Sequence, residues 1–314
     1  LRDGLARFEK IATDAKTKNQ TIISGNDAFV LYDTYGFPMD LTGVLAEESG
    51  LKLDHAGFAA AMEEQRERAR GAAKFDAALT SDEGWTILSG GKNTEFLGYE
   101  KLETEVEVTR FREVGDEILI CLSKSPFYAE SGGQVGDTGT LASADLELKV
   151  LDTFKLLEMQ VHRCSLVRGL LDPKFLRLMF AKVDEDRRAA TMRNHSATHL
   201  LHSALRNVLG NHVQQQGSRV APEGLRFDFT HPKGLSATEL EQIEDLVNDQ
   251  ILRDTPITVK ESALEDAKKL GAMALFGEKY GETVRHIKMG EFSHELCGGT
   301  HACATGQIGQ FRIT

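Results

Sequence analysis

Asn194-His-Ser-Ala-Thr-His-Leu-Leu-His-Ser-Ala-Leu-Arg-Asn-Val-Leu-Gly210, read as a helix at about 100° per residue, divides into two faces. His195, His199, His202 and Arg206 fall on one side, and Ala197, Leu201, Ala204 and Val208 centre on the other. The histidines therefore occupy a face the helix does not need for its own core, and imidazoles at i and i+4 can converge on one ion. A polar helix face that happens to hold histidine is the plainer reading of the same residues. His195-Ser-Ala-Thr-His199 lacks the glutamate of the His-Glu-x-x-His proteases, which removes that chemistry's general base.

Around this stretch, from about residue 184 onward, helical and strand periods mix. Helices are expected at 184–209, 236–253 and 262–270, the last two opened by Ser236 with Glu239 and Ser262 with Glu265 in capping-box spacing. Strands are expected at 225–229, 257–259, 284–288 and 292–296, an order that suggests helices packed on an antiparallel sheet. Upstream, Val106 and Val108, then Ile118 to Leu122, then Leu146, Leu148 and Val150 alternate or cluster between Gly, Asp and Ser, as the strands of a small barrel or sandwich do. Further upstream the period is helical, with a break at Gly36 and Pro38 and a charged stretch at 59–73 that reads as a solvated connector. The fold class is thus α+β: an N-terminal helical segment (1–75), a glycine-rich β-barrel (76–175) and an α+β core with helices on an antiparallel sheet (176–314).

The 314 residues suffice for about two domains. Hydrophobic residues at 41% and charged residues at 27% match ordinary globular chains and exclude disordered and collagenous classes. No apolar run is long enough to span a membrane and no leader opens the chain, so a cytoplasmic protein without a membrane partner is expected. Four cysteines are too few and too scattered for a disulfide framework, so a special cysteine should be a ligand or a nucleophile. The net charge of −11 argues against coating nucleic acid by bulk charge and leaves room for a local basic groove. The chain opens on Leu1 inside an amphipathic stretch and stops while still alternating, which reads as a piece of a longer protein.

Cys297-Gly-Gly-Thr-His301 is the second place where chemistry gathers: paired glycines permit a tight turn that can aim a thiolate and an imidazole at a common point. A buried cysteine beside a surface histidine is its plain reading. Together the two stretches offer three histidines and one cysteine, a full tetrahedral zinc set joining a helix to a distant loop. Tyr128-Ala-Glu-Ser-Gly-Gly-Gln-Val-Gly-Asp137 lacks both the strand-to-helix setting of a dinucleotide loop and the lysine of a P-loop. It is either a turn between strands or a close approach of backbone to a ligand.

Several of these stretches resemble the bacterial alanyl-tRNA synthetases, in the middle of their chains. Asn194 to His202, Arg226-Phe-Asp-Phe229, Gly271 to Tyr280 and Glu295 to His301 are similar to the editing domain; Tyr128 to Asp137 is similar to the glycine motif of its barrel, and Leu31-Tyr-Asp-Thr-Tyr-Gly-Phe-Pro38 to the helical region before it. The resemblance covers nearly the whole chain. It implies a deacylase that hydrolyses Ser-tRNA(Ala) and Gly-tRNA(Ala), with Zn2+ on His195, His199, Cys297 and His301 and with Thr198 and Gln215 shaping the aminoacyl pocket. The implied partner is tRNA(Ala), not DNA. Arg187, Arg188, Arg193, Arg206 and Arg219 surround the metal helix and are candidates for phosphate contact, and Asp33 for reading the acceptor stem. Nothing resembles an ATP-binding aminoacylation core, so charging of tRNA is not expected. The alternatives are a noncatalytic tRNA-binding module whose zinc staples helix to loop, and a freestanding editing protein of the same superfamily.

Overall fold

The computed structural model describes residues 2–18, 20–33, 37–62, 84–91, 93–157, 159–274 and 281–314. The expected charged connector at 59–73 lies mostly outside them, as do Thr34 to Gly36 and Leu275 to Tyr280 of the quoted motifs. The chain divides into two units, Leu1–Ser81 and Asp82–Thr314. It is a mixed helix-and-sheet protein containing a closed six-stranded barrel.

In the first unit, α1 (Arg2–Thr17), α2 (Gly25–Asp33) and α3 (Met39–Glu48) accompany a two-strand parallel pair, β1 (Ile22–Ile23) and β2 (Lys52–Leu53). Phe8, Ile11, Ala12 and Ala15 recur at helical spacing on α1 and are buried with Ile23, Leu31, Phe37 and Leu51.

The second unit begins with the short strands β3 (Thr86–Ile87) and β4 (Glu95–Phe96). Then come β5 (Glu103–Val114), β6 (Glu117–Leu122), β7 (Lys124–Ser125), β8 (Gly139–Ala142), β9 (Glu147–Leu156), β10 (Met159–Arg168), helix α4 (Pro173–Leu176) and β11 (Leu178–Val183). β11 pairs antiparallel with both β8 and β5, and this closes the ring β5-β6-β10-β9-β8-β11, which removes two open edges. Val106, Val108, Ile120, Leu122, Leu148, Val150 and Ala181 point inward, as the period of two demands.

The rest of this unit is built on α5 (Glu185–Leu209), opened by Asp184, whose carboxylate accepts from Arg187 N, and by the acidic Glu185 and Asp186. After it come the hairpin β12 (Gln215–Ala221) and β13 (Gly224–Phe229), helix α6 (Ala237–Leu252), β14 (Ile257–Ala263), helix α7 (Leu264–Lys269), β15 (Thr283–Met289) and β16 (Ser293–Leu296). β14, β15 and β16 form an antiparallel sheet. The apolar side of α5 (Ala197, Leu200, Leu201, Ala204, Leu205) packs with Ile243, Val247 and Ile251 of α6 and Ile257, Ile287 and Met289 of that sheet. Ser236 and Glu239 make a reciprocal capping box on α6. The second expected box is absent: Ser262 is paired in β14 with Val284, and α7 starts after Ala263 without a side-chain cap. There the ladder hydrogen bonds win over the local capping signal.

Candidate metal centre

Helix α5 is buried on both sides where it carries the histidines: His195, His199 and His202 are all nearly inaccessible. β16 runs alongside and hands the chain to the 297–301 loop. Ligand atoms of His195, His199, Cys297 and His301 all lie within 4.8 Å of one another. Cys297 Sγ is 3.4 Å from His195 Nε2 and 3.4 Å from His301 Nε2.

Each imidazole is oriented through its other nitrogen. His195 Nδ1 lies 2.7 Å from Gln134 Oε1, His199 Nδ1 2.6 Å from Glu295 Oε2, and His301 Nδ1 3.3 Å from Ser196 Oγ. With Nδ1 donating to each of these, Nε2 is the nitrogen each ring turns toward the cluster, and it becomes a ligand wherever it is deprotonated. His199 Nε2 is buried and has no hydrogen-bond partner among the described residues. An orphaned buried nitrogen, three converging imidazoles and one thiol fit a tetrahedral cation such as zinc.

The electrostatics agree with ligation. Burial would push the Cys297 thiol up, but His195, His301 and His199 hold it well below its ordinary value, toward the thiolate. Burial, with His195 adding to it, brings His301 down to about 3, so this imidazole is neutral. Burial opposes and Glu295 promotes protonation of His199, which reaches about 10, so an incoming cation displaces a proton there. Glu295 itself, buried yet facing His199 and His202, falls to about 2 and stays ionised.

The loop that carries Cys297 is held from two sides. Tyr99 Oη donates to Gly298 O at 2.6 Å, and Arg285 donates to Cys297 O at 3.0 Å and to Gly299 O at 2.7 Å. The Arg285 guanidinium also lies 4.2 Å from the centre of the Tyr99 ring. Gly299 packs directly against the His195 ring and Gln134, so a Cβ at this position would overlap both.

A cavity of about 640 Å³ opens beside the cluster, lined by His195, Thr198, His199, Gln215, Cys297 and Gly298 among others. The two expected pocket residues thus meet the two histidines and the cysteine. Thr198 Oγ1 donates to Asn194 O at 2.9 Å, and Gln215 Nε2 donates to Ser218 Oγ at 3.1 Å. His202 lies behind, hydrogen-bonded to Glu295 at 2.9 Å. Cys303 is exposed.

The basic candidates fare differently. Arg188 is buried and saturated by Asp137, Gly98 O and Pro126 O, so it is no phosphate contact; burying a guanidinium demands full pairing, and the barrel supplies it. Arg187 donates to Gly136 O. Arg206 is directed at Asn211 O and Val213 O, where it holds the chain leaving α5. Arg219 is paired with Glu223 at 3.5 Å, and Arg193 is exposed. The side chain of Asp33 lies outside the described residues.

Gln134, Ser196 and Glu295 had no role in the sequence reading. Glu295 carried a usable signal: it precedes Cys297 by two residues where β16 ends, and strand alternation puts both on one face. For Gln134, deep in the barrel's glycine turn, no local signal exists.

Residues 1–187 match the family of tRNA synthetases class II (A), and residues 284–314 match the threonyl and alanyl tRNA synthetase second additional domain. The chain is 46% identical over 325 residues to an alanine–tRNA ligase of Pelotomaculum thermopropionicum, with all of this chain and 37% of that protein covered. It is 48% identical over 319 residues to one from Xanthomonas campestris pv. campestris, covering 97% of this chain and 35% of that one. With the enzyme of Chlorobaculum tepidum the identity is 47% over 325 residues, covering 100% and 37%. The chain therefore spans little more than a third of the length of these relatives. Among the described residues no helix is long and apolar enough to cross a membrane. By the match over more than half its length, and by these relatives, the chain belongs to the class II (A) tRNA synthetases, within the alanyl-tRNA synthetase family.

Proposed function

We propose that this chain is an editing unit that hydrolyses the ester of tRNA(Ala) misacylated with serine or glycine. The observation that carries the reading is the convergence of His195, His199, Cys297 and His301 on the wall of a cavity that also holds Thr198 and Gln215. In this reading the helical segment 1–75 meets the tRNA, the barrel 76–175 flanks the core, and 176–314 carries the hydrolytic site, with Asp33, Arg193, Arg206 and Arg219 as RNA contacts. The setting is cytoplasmic protein synthesis.

The four side chains would hold a zinc ion, which when bound supplies Lewis acidity and a fixed positive charge to the site. An aminoacyl ester is easier to cleave than an amide, so orientation of the terminal adenosine and a polarised carbonyl suffice without a Ser-His-Asp triad. Gln215 offers a polar partner for the serine hydroxyl, one that alanine leaves unsatisfied. Thr198, whose hydroxyl is engaged with Asn194 O, turns a fixed wall toward the amino-acid side chain.

A noncatalytic module with a stapling zinc is the second reading, and the four-residue count favours it, because four protein ligands close a tetrahedron. Hydrolysis of Ser-tRNA(Ala) beside Ala-tRNA(Ala), by the wild type and by Cys297→Ala with zinc content measured in parallel, separates the two. Serine-selective cleavage that falls in the variant supports editing. Binding of tRNA without cleavage by fully zinc-loaded protein supports the staple.

A further inference from the structure

We propose that the cavity beside the metal centre contains a phosphate seat, formed by Lys155 and the amide of Gly132, that takes the phosphodiester on the 5′ side of the RNA's terminal nucleotide. The seat rests on the editing reading and deepens it, because it fixes how the substrate's end lies in the cavity.

Charge is the first observation. The chain carries a net charge of −11, yet among the described residues lining this cavity there is no carboxylate, while Lys155 and Arg285 both line it. Arg285 is engaged with two loop carbonyls and the Tyr99 ring. Lys155 is exposed and has no ion-pair partner among the described residues. A free cation in a cavity without carboxylates calls for an anion. The aminoacyl group is not that anion: its carboxyl is esterified and its amine is positively charged. The nearest negative charge on an aminoacylated RNA end is the phosphate of the terminal nucleotide.

Backbone geometry is the second. Ser131 and Gln134 close a tight turn through reciprocal backbone hydrogen bonds, with Gly132 at φ 57° and Gly133 at φ 81° at its tip. Only glycine adopts two successive left-handed conformations at no cost. The Gly132 amide has no hydrogen-bond partner among the described residues, and Gly132 lines the cavity. A Cβ on Gly132 would meet nothing, whereas one on Gly133 would overlap Ser218. The turn is thus pinned to β12 on one side and open toward the cavity on the other, and open turn amides form an anion-binding concavity.

Topology brings the two together. Glu130 N donates to Thr153 O, and Thr153 Oγ1 donates to Asp137 O, so the glycine segment runs along β9 at Thr153. Lys155 is two residues further along β9 and shares the face of Thr153. Its ammonium is a compact point charge suited to a phosphodiester oxygen, with the turn amide as the second donor.

The test compares two small substrates on the whole 314-residue chain: the 3′-seryl ester of adenosine, and the 3′-seryl ester of adenosine 5′-monophosphate. The wild type is expected to prefer the phosphorylated ester by about ten-fold in kcat/KM, mostly through KM, from one charge-assisted contact. In Lys155→Ala the ratio between the two esters falls toward one, and Lys155→Arg restores most of it. Equal use of the two esters by the wild type, or a ratio indifferent to Lys155→Ala, overturns the seat. Calorimetric titration of the same proteins with adenosine 5′-monophosphate and with adenosine gives a readout independent of turnover. If neither ester is hydrolysed, this titration still decides the seat, and the editing reading is decided separately on Ser-tRNA(Ala). Tighter, salt-sensitive binding of the phosphorylated nucleoside that is lost in Lys155→Ala supports it, and equal binding refutes it.

Discussion

Gln134, in the barrel's glycine turn, and His195, on helix α5, are 61 residues apart in sequence and share a hydrogen bond of 2.7 Å. The same Gln134 oxygen accepts from Thr300 N at 2.9 Å, and its amide nitrogen donates to Thr300 Oγ1 at 2.9 Å. One buried amide thus sets the tautomer of a histidine on the helix and the path of the loop that bears Cys297 and His301. Gln134→Ala is expected to weaken metal binding by about 10- to 100-fold, the usual cost of losing an orienting partner. A chelator competition against zinc measures it, and unchanged affinity would show that His195 needs no such partner.

Glu295 accepts from two histidines at once, His199 at 2.6 Å and His202 at 2.9 Å. Glu295→Gln keeps the shape but sets an amide donor against a ring donor and removes the buried charge. It should cost about 1 to 3 kcal/mol of stability and weaken metal binding in the same competition. Denaturant titration of the metal-free proteins isolates the first effect.

Two neighbouring glycines give opposite expectations. Gly299→Ala would drive a methyl group into His195 and Gln134, whereas Gly298→Ala meets nothing within 4 Å. The first substitution should abolish stoichiometric zinc binding, and the second should retain it. Metal analysis after gel filtration distinguishes them.

Arg188 holds the start of α5 against the barrel through Asp137, Gly98 O and Pro126 O, in a site only 2% exposed. Arg188→Ala leaves Asp137 charged and buried, at a cost of about 3 to 5 kcal/mol. Arg188→Lys should recover little of this, because an ammonium cannot serve the planar set of acceptors. Thermal unfolding gives the ordering.

His162 reports on pH. It is wholly buried in the barrel, between Ile120 O at 3.0 Å and Ser125 Oγ at 2.8 Å. Burial, only partly opposed by the Ile120 carbonyl, lowers it to about 4. The unfolded chain takes up a proton at this histidine below about 6.5 and the folded chain does not. Stability is therefore complete above that value and declines as the pH falls, by about 3 kcal/mol once about 4 is reached. Denaturant unfolding between pH 7 and 5, where carboxylates contribute least, should show a slope that His162→Gln flattens.

What could be read from the sequence follows from the range over which each signal acts. The Ser236 cap, the amphipathic α5 and the alternation of β5 and β6 are set by residues within a turn or a strand of each other, and they were legible. The two halves of the His/Cys cluster were legible because His195 with His199, and Cys297 with His301, are each close in sequence. Barrel closure by Leu178–Val183 was not legible, since it depends on pairing with Glu103–Glu107 far upstream. Nor was the burial of Arg188, whose partners lie 51 to 90 residues away. Ser262 misled because its capping spacing is local while its ladder partner, Val284, is not.

The bond between Gln134 and Thr300 spans 166 residues. During synthesis at about 5 to 20 residues per second, the barrel half of this contact waits roughly ten to thirty seconds for its partner to emerge. From the emergence of His195, 61 residues after Gln134, until the loop follows, this histidine has its orienting amide but no loop, and Cys297 is not yet made. The four side chains therefore come together only after the barrel's share of the contact has been made, and a metal held by them would follow the folding of the barrel instead of guiding it.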